Sequence, residues 1–143
     1  MKKILGISFI FFIIDLVSKV FVIHFLGKEV VLIKNFFSLN LAYNTGVAFS
    51  MLEGNNFLII ILNILFILFL LWYSIKHVKW KFDLISYSLI IGGAIGNLFD
   101  RIIYGYVIDF LDFVIFGYDY PIFNLADSFI VIGVILLFFR KGE

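Results

Sequence analysis

Hydrophobic residues dominate this chain in long runs, and the polar residues fall into short islands between or near the ends of those runs. Four runs are long enough, or nearly so, to span a bilayer as helices: residues 4–26, 57–75, 84–103 and 121–139. The first, about 23 residues long with no small-residue cleavage site after it, reads as a permanent span rather than a signal peptide. Between the first two spans, Phe36-Phe37-Ser38-Leu39-Asn40-Leu41-Ala42-Tyr43 alternates in part. Asn44-Thr45-Gly46 follows as turn chemistry, and Val47-Ala48-Phe49-Ser50-Met51 resumes an apolar run. This predicts a small β element or hairpin. The pattern contains no internal repeat. The expected fold is an all-α membrane protein: four transmembrane helices and a small extracytoplasmic β element, in one domain covering residues 1–143.

Composition sharpens this picture. Of 143 residues, 64% are hydrophobic and 15% charged, whereas a soluble domain is about half apolar and about a quarter charged. A net charge of +1 provides no basic field for nucleic acid. There is no cysteine, which excludes disulfides, thiolate catalysis and Cys-based zinc sites. His24 and His77 lie at opposite membrane faces, so no metal site and no cofactor is expected.

The charges also orient the spans. Lys2 and Lys3 precede the first, Lys76, Lys79 and Lys81 fill the second connection, and Arg140 and Lys141 follow the fourth. The first connection balances Lys28 and Lys34 against Glu29 and Glu53, and residues 104–120 carry Asp109, Asp112 and Asp119 without a cation. The positive-inside rule therefore predicts cytoplasmic termini, with the acidic connection outside.

Within this frame a few polar residues demand an account, because a carboxylate near hydrocarbon is expensive and is usually retained for a task. Asp15 and Lys19, four apart, share a helix face near mid-bilayer and predict an intramembrane ion pair that locks helix packing. Gly92 and Gly96 form a GxxxG pair that permits close helix approach. Gly93, Asn97 and Arg101 make a stripe beside Asp100, and Arg101 is free to pair with a carboxylate elsewhere or with a lipid phosphate. Asp109 and Asp112 point to opposite faces on a strand but share one on a helix, so spacing does not choose between them. Asn124 and Asp127 have the spacing of an N-cap and first helical turn. Asp109 and Asp127 fall on the same side of the membrane, and two converging carboxylates suit acid–base chemistry with a shared proton. A Ser–Lys pair using Lys19 with Ser50 or Ser128 is the hydrolytic alternative. A small proton or ion carrier, or a membrane assembly subunit, is the non-enzyme alternative.

Five islands taken together resemble the lipoprotein signal peptidase family, signal peptidase II. They are Asp15-Leu16-Val17-Ser18-Lys19, Asn44-Thr45-Gly46-Val47-Ala48-Phe49, Gly92 through Arg101, Val107-Ile108-Asp109-Phe110, and Phe123-Asn124-Leu125-Ala126-Asp127-Ser128. The resemblance implies a globomycin-sensitive aspartic endopeptidase of the bacterial inner membrane, with its active site on the extracytoplasmic side. Its substrate would be a prolipoprotein, cut before a diacylglyceryl-modified cysteine; membrane lipids would be its other partners. By carry-over Asp109 and Asp127 are catalytic and Asp112 is not, and the helix start favours Asp127 as the ionised partner. Asn44, Gly46, Asn97, Arg101, Asn124 and Ala126 match positions that support or line the site, and Asp15 and Lys19 match a supporting pair.

Overall fold

The computed structural model describes residues 1–26, 29–46 and 54–139. Its elements run α1 (Lys2–Phe25), β1 (Val30–Ile33), β2 (Phe37–Asn44), α2 (Asn56–His77), α3 (Lys81–Ile103), β3 (Val107–Ile115), β4 (Tyr118–Asp119) and α4 (Leu125–Phe138). Among the described residues three helices, α1, α2 and α3, are long and apolar enough to cross a membrane. At 14 residues α4 is shorter, about 21 Å at the helical rise.

Helix α3 is the centre of the bundle and packs against α1, α2 and α4. Its glycines decide how closely. A Cβ on Gly92 would lie 2.6 Å from the Ser8 carbonyl oxygen of α1, and one on Gly93 would strike the Ala126 carbonyl of α4. The GxxxG spacing therefore brings α1 against α3, while Gly93, one residue on, brings in α4 on another face. Ile4, Ile67, Leu70, Tyr87, Ile90, Ile91 and Ala94 fill the core between these helices. The outward faces of α1 and α2 remain apolar, with Phe9, Val17, Phe21, Leu65 and Leu68 exposed. Such surfaces suit lipid rather than water.

The β element is larger than the sequence pattern predicts. Four antiparallel strands lie in the order β1-β2-β3-β4. The chain turns between β1 and β2 at Asn35, which has a φ of 59°. Strand β2 then continues to Asn44 and pairs with β3, so the alternating segment finds its second partner some 65 residues away. Residues 47–51, expected as the other arm of a hairpin, lie outside the described residues, as do Lys28, Glu53, Arg140 and Lys141. A strand conformation also answers the question left open for Asp109 and Asp112, because it turns them to opposite faces.

The fourth apolar run, taken from residue 121, is helical only from Leu125, the start that an Asn124 N-cap implies. The reason is Phe123, which pairs with the sheet: its carbonyl accepts from the Phe110 and Leu111 N–H groups at 3.0 and 2.7 Å, and its N–H donates to the Leu111 carbonyl at 3.1 Å. Asn124 then caps α4. Its Oδ1 accepts from the Asp127 N–H at 2.9 Å, and its own N–H donates to Asp127 Oδ2 at 3.2 Å, a reciprocal capping box. The Phe123 bridge thus fixes the start of α4 against the strand that carries Asp109.

Candidate active site

Asp109 projects from β3, next to an irregularity in the ladder. Leu39 pairs with Leu111 and Ala42 with Asp109, so Asn40 and Leu41 together face Phe110. Such a bulge re-aims the neighbouring side chains. Asp109 is buried, and both its oxygens accept hydrogen bonds: Oδ2 from Asn44 Nδ2 at 3.1 Å, and Oδ1 from Asn124 Nδ2 at 2.7 Å. Asp127 stands in the first turn of α4, and its Oδ1 accepts from Asn97 Nδ2 at 2.7 Å.

The two carboxyl groups are linked through two amides. Asn124 Nδ2 also donates to Asn97 Oδ1 at 3.0 Å, giving the series Asp109–Asn124–Asn97–Asp127. Asn124 Nδ2 further reaches the Ile108 carbonyl at 3.2 Å. Residues from β2, α3, β3 and α4 thus converge on one point. Burial pushes the Asp109 carboxyl up to about 7, with the negative charge of Asp127 acting in the same direction. The hydrogen bonds from Asn44 and Asn124 and the charge of Lys19 oppose that rise. A carboxyl in this range exchanges protons readily at neutral pH.

Both acids line a cleft of about 890 Å³. Its polar end also includes Asn44, Asn97 and Arg101, and Ile59, Leu62 and Phe66 of α2 supply apolar wall. Arg101 is buried and donates from Nη2 to the Gly46 carbonyl at 2.7 Å. That bond ties the end of β2 to α3. Among the described residues its other terminal nitrogen, Nη1, has no hydrogen-bond partner.

Behind the cleft, Lys19 Nζ lies 2.7 Å from Asp15 Oδ2 and 2.8 Å from Asp100 Oδ2, all three groups being buried. The predicted pair of Asp15 and Lys19 is thus part of a triad. The sequence pattern placed Asp100 beside the glycine–asparagine stripe but did not connect it to Lys19, because 81 positions separate them along the chain. Asp15, whose spacing reads as one half of a packing ion pair with Lys19, also accepts from the Ala126 N–H at 2.9 Å. Ala126 packs fully buried at that contact.

The triad also bears on the Ser–Lys alternative. Lys19 Nζ is engaged by Asp15, Asp100 and the Asn97 side-chain oxygen, with no serine hydroxyl among these partners. Ser128 Oγ donates to the Asn124 carbonyl at 3.0 Å, and Ser50 lies outside the described residues. Asp112 takes hydrogen bonds from Ser38 Oγ at 3.4 Å and Asn40 Nδ2 at 3.2 Å, both from β2. Among the described residues no cluster of three metal-ligating side chains occurs.

Comparison with known proteins agrees with this architecture. The chain is 49% identical over 117 residues to the lipoprotein signal peptidase of Caldicellulosiruptor bescii, covering 80% of this chain and 73% of that relative. It is 40% identical over 138 residues to the lipoprotein signal peptidase of Clostridium novyi, covering 92% and 93%. A solved structure described as a bacterial membrane enzyme determined by the in meso method superposes with a TM-score of 0.85 at 34% identity, covering 100% of this chain and 93% of that one. The family model for signal peptidase (SPase) II matches residues 7–141, and the chain belongs to that family.

Proposed function

We propose that this protein removes the signal peptide of diacylglyceryl-modified prolipoproteins by aspartic hydrolysis, with Asp109 and Asp127 as the catalytic pair. Membership of the signal peptidase II family makes it a protease that processes prolipoproteins. The observation that carries the catalytic assignment is the linkage of two acidic side chains, from β3 and α4, through Asn124 and Asn97 at the polar end of an otherwise apolar cleft.

The chemistry follows from the geometry. Water attacks the carbonyl carbon before the modified cysteine while the Asp127 carboxylate takes its proton and the neutral Asp109 carboxyl donates to the carbonyl oxygen. Collapse of the tetrahedral species returns a proton to the leaving amine. Two neighbouring carboxyls share one proton because both do not ionise easily together, and the titration belongs to the pair. Asn44, Asn97 and Asn124 hold the acids, and Gly46 and Arg101 frame the cleft between β2 and α3. The apolar wall of α2 accommodates the hydrophobic segment and acyl chains of the substrate.

Orientation in the membrane follows the same logic. Ile4 and Tyr87 pack in one cluster, so the starts of α1 and α3 share an end of the bundle, near Lys2, Lys3 and Lys81. Asp109 and Asp127 lie towards the other end, close to Arg101 near the end of α3. We place the cationic end and both termini in the cytoplasm of a bacterial inner membrane, and α4 as a fourth, short span. The sheet then lies at the outer interface, where Tyr43 and Tyr106 pack edge-on at 4.8 Å. It covers the cleft as a lid would. The whole chain acts as one peptidase unit.

Purified protein incubated with a diacylglyceryl-modified prolipoprotein and with its unmodified form tests the substrate class. Signal peptide is expected to be released only from the modified form; equal cleavage of both refutes the lipid requirement. The dependence of kcat/KM on pH tests the acid. Neutral Asp109 is the active form and its carboxyl titrates at about 7, so the rate falls as pH rises through that region. It also falls at low pH, when the second carboxyl gains a proton, giving a bell. A rate that climbs steadily into alkaline pH indicates serine–lysine chemistry instead.

A further inference from the structure

The buried triad of Asp15, Lys19 and Asp100 does more than join α1 to α3. Asp100 Oδ2, besides meeting Lys19, accepts from the backbone N–H of Ile108 at 3.1 Å, and Ile108 immediately precedes Asp109. Asp15 uses its second oxygen, Oδ1, to accept from the backbone N–H of Ala126 at 2.9 Å, and Ala126 immediately precedes Asp127. The two acids around one ammonium therefore each hold the residue before one member of the candidate pair. Lys19 makes a third contact of 3.3 Å to Asn97 Oδ1, which leaves the Asn97 NH₂ group facing Asp127. Gly96 makes room for this arrangement, since a Cβ there would collide with the Asp15 carboxylate.

We propose that Asp15, Lys19 and Asp100 form one positioning unit, which sets the separation of the Asp109 and Asp127 carboxyl groups by fixing the backbone at residues 108 and 126 from a common cation. This rests on reading Asp109 and Asp127 as catalytic. Locking α1 to α3 needs only the Lys19–Asp100 contact. The two backbone bonds reach outside both helices, to the start of β3 and the first turn of α4. Residue 126 lies among the first N–H groups of a helix, which have no partner within it, so Asp15 satisfies a donor as it fixes a position. A displacement near 1 Å at reacting groups lowers rates by about 10²-fold.

The test uses the full-length protein in detergent or vesicles with a diacylglyceryl-modified prolipoprotein. Asp15→Asn and Asp100→Asn each leave Lys19 paired with the remaining carboxylate. Each is expected to lower kcat per folded enzyme by about 10–100-fold with KM changed less than about threefold. In Asp100→Asn, the released start of β3 exposes Asp109 to water, so the alkaline limb of the rate profile moves to lower pH. The charged groups facing Asp109 (Asp127, Lys19 and Arg101) remain in place in that variant. Mere loss of folded protein scales the profile without moving the limb. Lys19→Arg, which keeps the charge but spreads the two acids apart, is a second variant and is expected to lose kcat while still folding. Wild-type kcat per folded enzyme with an unmoved limb in these variants overturns the proposal. Asp109→Asn and Asp127→Asn run in parallel separate the two ideas: wild-type cleavage by either refutes the catalytic pair, whereas inactivity of both alongside unaffected triad variants refutes positioning alone.

Discussion

Asp109→Asn and Asp127→Asn each lower the rate of signal-peptide removal by about 10³-fold or more while leaving the protein inserted in the membrane. Acid–base groups contribute roughly 10²–10⁴-fold, and here each variant also dissolves the proton-sharing of the pair, so the upper part of that range applies. The side chains keep their volume, and the core around α3 is untouched. What changes is chemical: an amide neither takes a proton from water nor gives one to a carbonyl oxygen. Asp112→Asn is the control on the same strand. It faces away from the cleft and receives hydrogen bonds from Ser38 and Asn40, so its effect on rate is expected to be at least about tenfold smaller. Cleavage of a lipid-modified prolipoprotein by each purified variant, normalised to folded protein, measures all three. Comparable rates for Asp109→Asn and Asp112→Asn contradict the assignment.

Lys19→Met destabilises the folded protein by about 3–5 kcal/mol, because it leaves the buried carboxylates of Asp15 and Asp100 facing one another without their cation. Removing one partner of a buried charge group is far worse than never having had the group, since the remaining charges stay out of water. Thermal unfolding of the detergent-solubilised protein reads the loss, as does its abundance in the membrane. An unchanged unfolding temperature means that the acids gain protons or water when the lysine goes, and that the triad stores little stability. Lys19→Arg is expected to retain most of the stability while disturbing the geometry.

Much of the architecture is legible in the chain because its solvent is hydrocarbon. A span must be long, apolar and internally hydrogen-bonded, so α1, α2 and α3 declare themselves by length and composition alone. The GxxxG pair of Gly92 and Gly96 announces close helix approach for an equally local reason, the missing Cβ. The Asn124–Asp127 spacing announces a helix start, and the capping box is there. Burying charge is costly enough that Asp15, Lys19, Asp109 and Asp127 stand out against their apolar neighbours in the sequence.

Tertiary structure decided what spacing leaves open. That Asp109 rather than Asp112 faces Asn44 and Asn124 depends on β3 being a strand, and β2 pairs with that strand from a distant part of the chain. That Phe123, just ahead of the Asn124 cap, joins the sheet and fixes the start of α4 against β3 depends on Leu111 lying opposite it. That Asp100 completes the triad with Lys19 depends on α1 and α3 lying in contact. The chain by itself determined its membrane helices and its expensive polar residues, because both follow from the cost of placing charge and backbone in lipid, position by position. Only the folded chain decided which of those polar residues meet, because hydrogen bonds and ion pairs between distant segments are set by the packing of whole helices and strands.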